Sequence, residues 1–178
     1  MSTSFEISLD QIEPDVLAEL NSSQFNAERF DLLLSRLENV FAKTVFETTQ
    51  LNAEATENIE VSLQIVNREV IRQVNNEFRE KDKETDVISL SMYEDLRHSA
   101  EEAIGPMVSL GDLIVCGPVA CDQAKESGLD IETELIELII HGILHLCGFD
   151  HEISESEKEE MYRWERKIFE LIEGDRHE

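Results

Sequence analysis

Chemistry concentrates in one stretch of this sequence, His141-Gly142-Ile143-Leu144-His145-Leu146-Cys147-Gly148-Phe149-Asp150-His151. His141 and His145 are four residues apart. On a helix both imidazoles then project from one face with Cβ atoms about 5–6 Å apart, close enough to share an ion. Gly148 follows in the next turn, where a residue free to adopt positive φ can end the helix and swing the chain back. His151 then arrives as a third ligand. Three neutral ring nitrogens leave a fourth tetrahedral position for water, the open arrangement of a catalytic zinc rather than the closed one of a structural zinc. A single histidine on an apolar helix is ordinarily a core residue satisfied by hydrogen bonds. Three of the chain's five histidines within eleven residues point instead to one bound zinc ion and a small soluble metal-dependent hydrolase. His98 and His177 have no such company and read as surface residues.

This spacing equals that of the metalloprotease motif H-E-x-x-H-x-x-G-x-x-H, but Gly142 stands where that motif has its general-base glutamate. Without that carboxylate, nothing adjacent can move a proton from the zinc water to a leaving amine, a step that contributes about 10² to 10⁴-fold. Zinc alone still lowers the pKa of its water to about 7 and polarises a phosphoryl or carbonyl oxygen. A phosphodiester asks less of a protein acid once its charge is neutralised, and RNA carries its own 2′-hydroxyl nucleophile. Arg79 is the cation suited to that charge, because a guanidinium offers paired donors to phosphate oxygens in a fixed fork. Standing alone it would read as a surface ion pair with Glu80 or a neighbour. Arg68, Arg72, Arg79, Lys81 and Lys83 fall within sixteen residues, and charge pattern by itself makes them a solvated face interleaved with Glu69, Glu77, Glu80 and Asp82.

The scaffold that must position these groups is bounded by length. A chain of 178 residues suits one domain, 1–178, and its 41% apolar content argues for a packed core despite 31% charged residues. No stretch approaches the roughly 20 apolar residues of a spanning helix, and Met1-Ser2-Thr3-Ser4-Phe5-Glu6 does not open a secretory signal, so a cytoplasmic protein without a membrane partner is expected. Cys116, Cys121 and Cys147 are odd in number and read as reduced, buried thiols; the Cys116 to Cys121 spacing is a weak metal signal. The formal charge of -25 repels polyanions at long range, which counts against nucleic acid and leaves DNA unexpected. An RNA substrate would require a basic-lined cleft around Arg79 within an acidic shell, with weak, salt-sensitive binding.

Periodicity then supplies the elements. Phe5, Ile7 and Leu9 alternate with polar residues, as do Ile59, Val61, Leu63 and Ile65, which is the period of half-buried strands. Phe30, Leu33, Leu34, Leu37, Val40, Phe41 and Val45 predict a helix over about 26–48. Val70, Ile71, Val74 and Phe78 predict a shorter helix whose apolar face includes Phe78 and whose end delivers Arg79. After a polar loop over 80–86, strands are expected at 87–90 and 110–116. Gly117-Pro118 opens a helix that Gly128 ends, Asp130 caps the histidine helix, and Ser154-Glu155-Ser156-Glu157 forms a capping box before Met161, Trp164, Ile168 and Leu171. Antiparallel alternation early and helices late predict an α+β fold, a small mixed sheet of about four strands covered by about five helices, with the zinc site on a late helix.

Three blocks of the chain resemble the YbeY family, the endoribonucleases also called rRNA maturation factors. They are Asn75 to Ser89, with Phe78-Arg79 and Thr85-Asp86-Val87-Ile88-Ser89; Leu110-Gly111-Asp112-Leu113; and His141 to His151. Leu90-Ser91 stands where the family usually has Phe-Pro, and Phe78 where tyrosine is common. The resemblance implies a zinc-dependent enzyme acting on single-stranded RNA in 16S rRNA 3′-end maturation and ribosome quality control in the bacterial cytoplasm, with rRNA precursor and the small subunit as partners. It assigns the ligand role to His141, His145 and His151 and a catalytic or substrate-orienting role to Arg79. His141 is the ligand also expected to be indispensable to catalysis. Two other readings remain open from the residues: a zinc hydrolase that recruits Asp112 or Asp150 as base, and a non-catalytic assembly factor whose zinc is closed by a cysteine thiolate.

Overall fold

In the computed structural model of this chain the described residues are 3–22 and 25–174. The expectations for Met1, Ser2 and His177 lie outside them. Four strands, β1 (Ser4–Ile12), β2 (Asn58–Val66), β3 (Val87–Ser91) and β4 (Met107–Cys116), form one mixed sheet in the order β1-β2-β4-β3. Among the described residues six helices accompany it: α1 (Pro14–Ser22), α2 (Ala27–Thr48), α3 (Arg68–Arg79), α4 (Gly117–Ser127), α5 (Ile131–Leu146) and α6 (Glu155–Gly174). The α+β class and the late-helix position of the histidines are as expected from the sequence.

Strand direction differs from the expectation. β1 and β2 run parallel, as do β2 and β4; only β3 lies antiparallel, against β4. Parallel neighbours need a crossover, and α2 supplies it between β1 and β2. Alternation over a strand reports how its two faces are covered and is silent on direction. In β2, Ile59, Val61, Leu63 and Ile65 are fully buried in a core shared with α2 and α5. A second, smaller cluster of Val66, Ile71, Ile88, Ile114 and Cys116 lies beneath α3.

The helix ends follow local punctuation. Asn26, Asn67 and Asp130 accept hydrogen bonds from the backbone N–H groups of Arg29, Val70 and Thr133, each at 3.0 Å, and Ser154 Oγ accepts from the Glu157 N–H at 3.2 Å. Three details depart from the periodicity. Helix α1 goes beyond the expected elements, because among its described side chains only Val16 and Leu20 are core positions, too few to show a period. On α6 the buried positions are Met161, Ile168 and Ile172, while Leu171 is exposed; residue 172, eleven beyond Met161, completes three turns on the same face. On α3 only Ile71 among the expected face is fully buried, and Phe78 is 58% exposed. Among the described residues no helix is long and apolar enough to cross a membrane.

Candidate metal centre and its cleft

The histidine helix is drawn onto the sheet by the absence of a side chain. A Cβ built at Gly142 would lie 2.1 Å from Leu113 Cδ1 and 3.2 Å from Ser89 Oγ, so a side chain there would have to displace Leu113, and glycine lets α5 lie this close to β3 and β4. Two serines of β3 fasten the contact: Ser89 Oγ donates to the Gly142 carbonyl at 3.1 Å and Ser91 Oγ to the His145 carbonyl at 3.3 Å. The residue that replaces the metalloprotease glutamate therefore faces the sheet, where a carboxylate would have to push Leu113 aside.

Beyond Leu146 the chain turns at Gly148, which has φ +102°, and whose N–H bonds the His145 carbonyl at 3.0 Å. A Cβ at Gly148 would meet Asp95 Oδ1 at 2.7 Å and Asp95 Cα at 2.9 Å, so both the backbone conformation and the close approach demand glycine. Arg97 secures the same corner from outside. Its guanidinium lies 4.2 Å from the centre of the Phe149 ring, bonds Glu160 at 2.7 Å and also pairs with Glu157. The return places His151 beside the other two rings.

The three rings converge. Their centroids are 4.6 Å (His141–His145), 5.2 Å (His141–His151) and 5.0 Å (His145–His151) apart, and one ligand atom from each lies within 4.8 Å of the others. The Nε2 atoms of His141 and His145 are 3.1 Å apart, close to the separation of about 3.3 Å that two Zn–N bonds at a tetrahedral angle produce. His141 donates its Nδ1–H to Glu165 Oε1 at 2.7 Å; a carboxylate can only accept there, so the Nε2 lone pair faces its partners. Burial, then the neighbouring His141 and His151, push the His145 pKa down to about 4, which keeps that ring neutral. The Nδ1 of His151 is buried without a hydrogen-bond partner. Convergent ring nitrogens, one of them buried without a partner, are the donor set of a divalent metal ion, and the residues fit one.

No cysteine joins this group among the described residues. Cys116, Cys121 and Cys147 are free and buried, and burial pushes the Cys116 thiol up to about 11 and the Cys147 thiol up to about 12. Asp112, on β4, does not line the cleft, while Asp150 does, with its Oδ1 accepting from the Glu152 N–H at 2.8 Å. His98 is exposed and bonds Asp95.

The histidines open into a cleft of about 960 Å³ that Arg79 also lines. Arg79 is the last residue of α3, exposed, with no ion pair or hydrogen bond to another side chain among the described residues; the surface pairing with Glu80 does not form. Glu80 instead ends the helix at φ 55°, and Asn75 Nδ2 ties the following loop by donating to the Lys83 carbonyl at 2.8 Å. Arg68 and Arg72 do behave as a solvated face, paired with Glu84 and Asp122 and with Asp82. The expected basic lining is absent. Seven carboxylates, among them Asp86, Glu134, Glu137 and Glu165, line the cleft against two guanidinium groups, Arg79 and Arg166.

A model of the family described as Endoribonuclease YbeY matches residues 22–173. The chain belongs to this endoribonuclease family. The family's relatives include Endoribonuclease YbeY of Sulfurihydrogenibium sp. (strain YO3AOP1), 40% identical over 116 residues that cover 65% of this chain and 71% of that one. Endoribonuclease YbeY of Bacillus cereus (strain G9842) is 38% identical over 132 residues, 73% of this chain and 83% of that one. Among solved structures, the solution structure of TM1509 from Thermotoga maritima superposes with a TM-score of 0.56 and 26% identity, covering 97% of this chain and 91% of the other. As a member of an endoribonuclease family, the protein is a nuclease-type hydrolase with RNA as its class of substrate. The stretch matched to the YbeY family contains Arg79, the three histidines and Glu165. Glu165, Ser89, Asp95 and Arg97 were invisible as site residues in the sequence. Glu165 reaches His141 from a different helix, 24 residues on, and no local spacing announces that contact.

Proposed function

We propose that this protein is a zinc-dependent, single-strand-specific endoribonuclease that acts as one domain, 1–178, in the cytoplasm. We assign it to 16S rRNA 3′-end maturation and ribosome quality control, with rRNA precursor and the small subunit as partners, in keeping with its family. His141, His145 and His151 are the ligands of one zinc ion, and Arg79 and His141 are the groups on which cleavage depends. The observation that carries this reading is the convergence of three imidazoles in a cleft that also presents a guanidinium, Arg79, without an ion pair among the described residues. When bound there, zinc lowers the pKa of a coordinated water and polarises a phosphoryl oxygen. The chain's own groups do the rest. Arg79 offers two parallel N–H donors to the phosphate and offsets its charge as the reaction proceeds. Glu165 holds the His141 ring in one tautomer and orientation. The tight seat of α5 on β3 keeps His141 and His145 in register with the return at Gly148.

The acidic lining favours one rival, a zinc hydrolase of a substrate that is not a polyanion. Gly142 weighs against its peptidase form, since the position of the usual base carries no carboxylate and faces Leu113 and Ser89 of the sheet. Incubation with single-stranded RNA and with denatured casein, each with and without chelator, separates the two. In the decisive experiment His141→Ala and Arg79→Ala each reduce cleavage of single-stranded RNA by at least about 10²-fold, while only the histidine change releases zinc. Cleavage retained in both variants rejects the reading.

A further inference from the structure

Phosphate contacts ordinarily dominate nucleic-acid affinity, and this cleft is poorly furnished for them. Its lining carries seven carboxylates against Arg79 and Arg166, within a chain of formal charge -25. Binding a polyanion here requires a source of affinity other than charge.

Two aromatic side chains line the same cleft and are largely exposed. Phe78, on α3, is 58% exposed and immediately precedes Arg79; Tyr162, on α6, is 61% exposed and lies one helical turn before Arg166. Helix α5 packs against β3 and against α6, and α3 contacts β3, so the two rings reach the cleft from separate elements. Each of these two helices therefore brings to the cleft one aromatic ring with one guanidinium close by in the chain. Neither ring belongs to a core cluster, and among the described residues neither stacks on another ring or receives a cation. The apolar period of α3 would have buried Phe78, yet the fold leaves its face to the cleft.

We propose that Phe78 and Tyr162 are stacking platforms for bases of single-stranded RNA laid across the cleft, with Arg79 and Arg166 serving the adjoining phosphates. The proposal rests on the RNA reading above and deepens it. Every base has a π-face, so stacking tolerates any sequence and is indifferent to the acidic lining. It also selects unpaired strands, because bases in a duplex already stack on one another. Loss of one platform should weaken binding roughly 5- to 150-fold.

The test is a fluorescence-anisotropy titration of the zinc-loaded protein with a labelled, 2′-O-methylated oligonucleotide about a dozen nucleotides long, beside an abasic strand of equal length. The base-bearing strand should bind the unmodified protein at least about tenfold more tightly than the abasic one. Phe78→Ala and Tyr162→Ala should each lose that advantage in part and leave abasic affinity unchanged, while Phe78→Trp and Tyr162→Phe restore it. Both side chains are exposed, so thermal unfolding should be unaltered. Equal binding of the two strands by the unmodified protein, or alanine variants with unchanged affinity and KM, overturns the stacking role alone. If the unmodified protein neither binds nor cleaves RNA, the endoribonuclease reading falls and this proposal with it.

Discussion

Replacing Glu165 with alanine removes the acceptor 2.7 Å from His141 Nδ1 and leaves the other two histidines untouched. The bond joins a carboxylate to an imidazole N–H, and hydrogen bonds to charged groups contribute about 1.5–3 kcal/mol. The two side chains are 32% and 29% exposed, so water screens the pair and places it near the lower end, about 1.5–2 kcal/mol. At 1.4 kcal/mol per decade this amounts to roughly 10- to 30-fold in metal affinity, within the about 10- to 100-fold range for partners that orient ligating histidines. Competition with a chromogenic zinc chelator at neutral pH measures it, with thermal unfolding of the metal-free forms as the control for folding. Glu165→Gln, which keeps a neutral acceptor, should fall between the two. An internal check comes from Glu137, whose carboxyl is held above the ordinary carboxylate range by burial and then by Glu165. In the alanine variant its pKa should drop toward the ordinary value. A zinc dissociation constant in Glu165→Ala within about twofold of the unmodified protein would refute the orienting role.

Two further outcomes test the packing around the site. Gly142→Glu, which writes the metalloprotease base into the motif, should yield no peptidase; overpacking against Leu113 and a buried unpaired charge should cost at least about 3 kcal/mol, or roughly 6–12 °C in Tm for a chain of this size. An unchanged Tm would show that α5 does not sit on β4 as described. The buried thiols should be inert: with Cys116 raised to about 11 and Cys147 to about 12, the thiolate fractions at pH 8 are about 10⁻³ and 10⁻⁴. A disulfide reagent should then label no cysteine in the native protein and all three after denaturation, and rapid native labelling would contradict their burial.

What was legible in the sequence is what local geometry dictates. The i, i+4 spacing of His141 and His145 sets two rings on one helical face whatever surrounds them, and Gly148 could be read as the hinge because a positive φ is a property of the residue itself. The caps at Asp130 and Ser154 belong to the same class, each a side chain bonding a backbone N–H three residues on. The buried face of α2 followed from a period sustained over 22 residues, whereas α1, with two core positions, showed none.

What only the tertiary structure decided depends on distances between elements that share no local period. The parallel pairing of β1, β2 and β4 follows from crossovers, since alternation marks buried faces and carries no direction. Glu165 meets His141 because α6 packs beside α5, and the close fit at Gly142 exists only once Leu113 and Ser89 lie against it. The acidic cleft, an Arg79 without an ion pair among the described residues and the exposed Phe78 have the same origin. Charge and hydrophobicity in a sequence fix how many such groups exist, while the packing of helices on the sheet determines which of them face one another and which face the cleft.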